Sequence, residues 1–106
     1  MTERVIKGSG NVFRDIGLEN ADEILLKAQL THQIYKILKE RGLSQHEAAK
    51  ILVLKQPDVA DLMNGMFKDF SVDLLLSLLA RLHREVEIVI KPLAEGEQGA
   101  IRVSAL

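Results

Sequence analysis

The amino-acid sequence predicts a mainly α domain built around a helix-turn-helix and closed by a C-terminal β-strand or hairpin. Three observations point there. Leu26, Leu30, Ile34 and Ile37 recur every three or four positions, the spacing of one helix face. Residues 44–65, SQHEAAKILVLKQPDVADLMNG, divide into a short helix, a tight turn and a second short helix. After His83 the period falls to two: Val86, Ile88 and Ile90 alternate with Glu87, Val89 and Lys91, the pattern of a strand.

Composition bounds the answer before any motif does. The chain has 106 residues, enough for one domain with a modest core. Hydrophobic residues make up 47% and aromatics only 4%, so aliphatic side chains must do the packing. With no cysteine there is neither a disulfide framework nor thiolate chemistry. The start, MTERVIKGSGN, lacks the apolar run of a signal peptide, and no stretch approaches the ~20 apolar residues of a membrane helix. A cytoplasmic protein without a membrane partner is the expectation. The formal net charge of −1 excludes a strongly basic nucleic-acid binder, so any attraction to phosphate must be local.

The elements follow in order. Residues 1–20 read as a polar arm with Gly8, Gly10 and Gly17. A helix is expected over 21–41, started by Asn20 or Asp22 and stopped at Gly42, with Leu43 folding back onto its last turn. Ser44 and Glu47 form an S-x-x-E capping box that opens the next helix, where Ala48 and Ala49 permit close approach of a neighbour. The following helix starts at 55–57, with Pro57 in the first turn where its missing N–H is harmless. Val59, Leu62 and Met63 face inward, and Asn64-Gly65 ends it.

A last helix is expected from Ser71, its cap, to about His83, with Phe70 stapled onto Leu75. Its leucines spread beyond one face, where a surface helix needs a single stripe. The expectation is therefore a helix that packs on its own core and also on a second copy, through Leu75, Leu78, Leu79 and Leu82, continued by Val86, Ile88 and Ile90. The plainer reading is a central core helix. A second short strand over 100–104 would complete a hairpin, which is marginal alone and needs Val5-Ile6, the helices or another chain beside it. The division is thus an arm over 1–20, a helix-turn-helix domain over 21–84 and a strand or hairpin over 85–106 that serves dimerisation.

The second helix of the 44–65 unit begins with polar side chains and continues with buried ones, a layout that sets a few side chains against base edges in the major groove. The Gln56 amide presents a donor and an acceptor together, matching adenine N6 and N7. Lys55 and Lys68 flank the helix and can reach phosphates, which fix position and not sequence. Free N–H groups at helix starts add attraction that a formal charge count misses.

At these residues the chain resembles the Xre-type (Cro/repressor-like) regulators, a lambda-repressor-like helix-turn-helix fold. Their signature is similar to S/T-Q-x-x-x-A-x-x-L-G-V-S-Q-P-x-V-S-x-L-x-x-G, and Ser44, Gln45, Ala49, Leu52, Gln56, Pro57, Val59, Leu62 and Gly65 match it. The resemblance implies that Gln45 contacts a phosphate and braces the recognition helix. The candidate DNA-contacting set is Gln45, Lys55, Gln56, Pro57, Asp58, Asp61, Asn64 and Lys68. Three departures stand out. Val53 occupies the place of the turn glycine, where a positive φ would strain a β-branched residue. Lys55 replaces a Ser or Thr cap, and Asp58 and Asp61 stand where the family carries Thr, Arg or Ser toward DNA.

Ser9-Gly10-Asn11-Val12-Phe13, with Asp15 and Gly17, then Phe70-Ser71 and the 86–92 segment, resemble a narrower subgroup, the HigA-like antitoxins. That resemblance covers most of the chain, from about residue 5 to 92. It implies a homodimer on a palindromic double-stranded operator, autorepression, and a small basic RelE/HigB-like ribonuclease toxin as partner. Two other classes compete: a toxin-neutralising interaction protein with weak DNA binding, and a phage or accessory-gene repressor with no toxin.

Catalysis and cofactors are not expected. His32, His46 and His83 lack metal-ligand spacing and read as solvated helix positions and a helix end. Gly8-Ser9-Gly10 is not followed by the Lys-Ser/Thr of a phosphate loop. Glu85 and Glu87, and the run of Lys36, Lys39, Glu40 and Arg41, read as solvated faces.

Overall fold

The structure, a computed structural model, describes Gly17 and residues 20–105. The expected arm, including the 9–13 stretch and Val5-Ile6, lies outside the described residues apart from Gly17 and Asn20. Four helices follow in order: α1 (Ala21–Glu40), α2 (Gln45–Leu52), α3 (Gln56–Met63) and α4 (Val72–Arg81). The long α1 packs mainly along α4 and also on α3, while α2 packs on α3 and touches α4. One core results, in which Ile34, Leu38, Leu52, Val59, Leu62, Leu75, Leu78 and Leu82 are fully buried. The stripe read from Leu30, Ile34 and Ile37 faces this core, with Leu26 packed at its edge. Thr31 is also buried, at 3% exposure, and its hydroxyl has no hydrogen-bond partner.

Each helix ends in the same way. A residue two or three past its end returns its N–H to a carbonyl five positions back, and the residue before that to one three back. The long returns are Leu43 to Leu38 (3.2 Å), Leu54 to Ala49 (3.0 Å), Met66 to Asp61 (2.8 Å) and Arg84 to Leu79 (3.0 Å). This is the Schellman arrangement, and it needs a left-handed residue between. Gly42 and Gly65 fill that place after α1 and α3, but Val53 (φ 56°) and His83 (φ 62°) fill it after α2 and α4. Helix starts are equally local. The Ser44–Glu47 capping box is complete, and the Ser71 hydroxyl accepts from the Leu74 N–H at 3.0 Å. At α1, Asn20 holds the cap position in a left-handed conformation and its side chain makes no capping bond.

Three expectations are corrected. The final helix stops at Arg81 rather than near His83, because the left-handed His83 turns the chain away. Leu75, Leu78, Leu79 and Leu82 do not face a second copy, since all four are buried in the core of their own chain. The leucines spread around α4 because α1 covers one side and α2 another, so a central helix needs apolar residues on more than one face. Third, no β-strand or hairpin forms among the described residues. Val86, Ile88 and Ile90 run in an irregular exposed segment, since a strand exists only where a neighbour takes its N–H and C=O groups. The tail turns at 94–97, where the Glu97 N–H donates to the Ala94 carbonyl at 3.1 Å. It returns to the body at Val103, whose N–H donates to Gln29 Oε1 on α1 at 3.1 Å.

Candidate nucleic-acid interface

The turn between α2 and α3 is three residues long, 53–55, and it sets the starts of both helices on one surface. Val53 projects there at 72% exposure. Leu52 behind it is fully buried, and its carbonyl accepts from Arg81 Nη1 at 2.6 Å, which ties the end of α2 to the end of α4. Arg41 does the same for α4, donating to the Leu82 carbonyl at 2.5 Å. Arg81 and Arg41, the latter read from the sequence as part of a solvated face, therefore cap helix ends, where the carbonyls and the helix dipole favour a cation. Of the two, Arg81 holds the residue that leads into the turn.

Gln56, the first residue of α3, is exposed. Its side-chain Nε2 lies 3.0 Å from His46 Nδ1 on α2. With the amide nitrogen as donor, His46 accepts at Nδ1. One amide hydrogen of Gln56 is thereby occupied. The other, with Oε1, still presents the donor–acceptor pair that matches an adenine edge. The side chain that contacts Gln56 across the turn is His46, while Gln45 lies exposed at the first position of α2. The signal for it in the sequence is slight, a histidine in the first turn of the preceding helix.

Backbone donors at the start of α3 are mostly spent. Pro57 has none, and the Asp58 and Val59 N–H groups both return to the Lys55 carbonyl, at 3.0 and 3.2 Å. The Gln56 N–H is the open donor of this turn, since it stands at the first helical position and has no backbone partner. A phosphate can satisfy that donor, assisted by the positive end of the helix dipole.

Around this point lie Lys50, Lys55 and His46, which together with Ala49, Val53, Leu54 and Gln56 line a shallow groove between α2 and α3. Lys50 sits one helical turn beyond His46 on the same face of α2, a position that the motif reading overlooked. Pro57, Asn64 and Lys68 are exposed, while Asp58 and Asp61 are half-buried on α3. Lys68 lies beyond the C-terminal end of α3, with its carbonyl 3.5 Å from Lys27 Nζ. Glu47 accepts the backbone N–H of Ser44 at 2.9 Å, and that bond, with the one from the Ser44 hydroxyl, holds its carboxyl below the usual glutamate range. Among the described residues no cluster of His, Cys, Asp or Glu is placed to hold a metal ion, and no helix is long and apolar enough to cross a membrane.

Two short helices at a tight turn, carried on a scaffold of two others and exposing the start of the second, define a helix-turn-helix domain. The family model for that domain matches residues 12–91, and the chain belongs to this family. Among solved structures, a protein described as a candidate XRE-family transcriptional regulator is 34% identical, with a TM-score of 0.72 over 82% of this chain and 97% of that one. That identity over nearly the whole of the relative places the chain in the XRE family. No curated protein matches it.

Proposed function

We propose that this chain is a sequence-specific DNA-binding transcriptional regulator which acts as a homodimer on a palindromic operator and, as an antitoxin, represses its own operon. The coarser part, a DNA-binding transcriptional regulator, rests on membership of the helix-turn-helix and XRE families. The observation that carries the mechanism is the exposed Gln56 amide, braced by His46 at the open start of α3. In this reading α3 enters the major groove, Gln56 meets an adenine, and Lys50, Lys55 and Lys68 neutralise flanking phosphates. A two-fold pair would set two such helices ~34 Å apart, one turn of duplex.

The test compares the upstream DNA of its own gene with a random duplex of equal length. Gln56→Ala should weaken operator binding by ~1–3 kcal/mol and relax specificity at one base pair. Equal losses on both duplexes would remove Gln56 from base reading.

The antitoxin part is supported by the resemblance of residues 9–13, 70–71 and 86–92 to HigA-like chains. A net charge of −1 suits a small basic RelE/HigB-like toxin as partner. Co-expression with the neighbouring reading frame tests it. A stable complex that abolishes growth arrest supports the role, and a frame with no toxic effect leaves a phage or accessory-gene repressor. A toxin-neutralising protein with weak DNA binding is favoured by one observation, the carboxylates of Asp58 and Asp61 on α3. It would bind the toxin and leave the promoter unshifted. No catalytic step and no cofactor belong to this reading.

A further inference from the structure

The segment that follows α4 is the least satisfied part of the described chain. Val86, Ile88, Val89, Ile90 and Leu93 are all exposed, Ile88 at 78% and Ile90 at 91%. None of the backbone groups from 85 to 93 has a hydrogen-bond partner. Yet Val86, Ile88, Val89 and Ile90 are β-branched, Val86, Ile88 and Ile90 recur at every second position, and Pro92 follows them, the composition of a strand awaiting its neighbour.

We infer that the neighbour is the same segment of a second copy, paired antiparallel about a two-fold axis through Ile88. This deepens the dimeric reading proposed above and rests on it. Charge and register select the pairing. Directly opposed residues share a face, so an odd offset would set Ile90 against Glu87 and break the apolar face; only symmetric even registers keep it whole. Centred on Glu87, the pairing would oppose that carboxylate with its own copy. Centred on Val89, it would set Pro92 opposite Val86 and shorten the ladder. Centred on Ile88, residues 85–91 pair throughout before Pro92 intervenes, and Glu85 meets Lys91 of the partner on the polar face, twice by symmetry. Val86, Ile88 and Ile90 of each copy then share the apolar face.

The partner is thus a second copy of this chain, and its strand supplies what the single chain lacks. It also accounts for the strand-like alternation over 86–90 where no strand forms within one chain.

The absence of cysteine makes the test direct, because any introduced thiol is unique. Opposed residues in an antiparallel pair have Cα atoms ~4.5–5.5 Å apart, within disulfide reach, whereas two copies of residue 86 would lie ~14 Å apart. Oxidised Ile88→Cys should form a self-linked dimer. Val86→Cys and Ile90→Cys should link to each other when mixed and not to themselves. In sedimentation, Glu85→Lys and Lys91→Glu should each weaken dimerisation about threefold to tenfold, and the double variant should restore it.

A chain that sediments as a single copy at all concentrations overturns the inference. So does self-linking of Val86→Cys as readily as Ile88→Cys, or rescue of Lys91→Glu by Glu87→Lys in place of Glu85→Lys. Operator binding without the 88–88 link would overturn the pairing and spare the functional reading. The link without operator binding would do the reverse.

Discussion

At the scale of single residues, Val53 is the sharpest conflict between sequence and backbone. It holds a left-handed conformation (φ 56°, ψ 50°) that a β-branched side chain resists, at the tip of the helix-turn-helix. The position is 72% exposed, so burial of its isopropyl group returns little. Val53→Gly should therefore raise stability by ~1 kcal/mol, the relief of strain exceeding the extra freedom glycine has when unfolded. Urea unfolding would read it as a higher midpoint at constant slope. An unchanged or lower midpoint would mean that the valine is held without strain. The same residue scale contains the His46–Gln56 bond at 3.0 Å. His46→Ala should weaken operator binding in the wild type but have little further effect in Gln56→Ala, because it acts by positioning the amide. A double-mutant cycle on operator and random DNA checks this, and additive losses would assign His46 a contact of its own.

At the scale of elements, the four helices were legible because their signals are local. The Ser44–Glu47 box, the Ser71 cap, Pro57 in a first turn and the glycine stops at Gly42 and Gly65 need only neighbours in sequence, and each forms as expected. What stayed hidden depends on distant partners. Arg41 looks like a surface charge, and Arg81 draws no notice, until the folded chain brings the Leu82 and Leu52 carbonyls to them. Leu75, Leu78, Leu79 and Leu82 look like an interface until α1 and α2 are seen to surround α4. In the site, Gln56 was legible from its motif, whereas its brace was not, since the contact from His46 spans ten residues across the turn. The capping box also makes a prediction in pH. Folding lowers the Glu47 carboxyl below its usual range, so its contribution is present above the unfolded value and is lost as pH falls through the folded one. Ser44→Ala removes the hydroxyl cap and the smaller, side-chain part of that acid-side dependence, while the backbone N–H of residue 44 still holds the Glu47 carboxylate. Stability should drop by ~1 kcal/mol near neutral pH, and the loss should shrink in acid. Denaturation midpoints at several pH values would show it, and a loss constant with pH would detach Glu47 from the effect.

At the scale of the whole molecule, the question is how a chain of net charge −1 holds a polyanion. The arrangement answers by separating sum from position. Lys50 and Lys55 line the groove beside Gln56 and Lys68 lies exposed past the end of α3, while many of the acidic residues, such as Glu23, Glu40, Glu85, Glu87 and Glu95, lie along other parts of the chain. Affinity should then track the few lysines that touch phosphate and not the net charge. Each neutralised phosphate contributes about 0.9 to the slope of log K against log salt. In a two-fold complex every substitution counts twice, so Lys68→Ala should lower that slope by ~2 on operator and random DNA alike. Salt titrations of wild type and variant on both duplexes make the measurement. A fall of ~1 would mean that a single copy meets the duplex, against the palindromic reading, and no change would take Lys68 out of the interface. Glu95→Lys makes the control, because it adds the same kind of charge on the exposed tail beyond α4 and outside the paired 85–91 segment: an equal rise in slope from it would show that net charge, rather than the placement of cations around α3, governs the attraction.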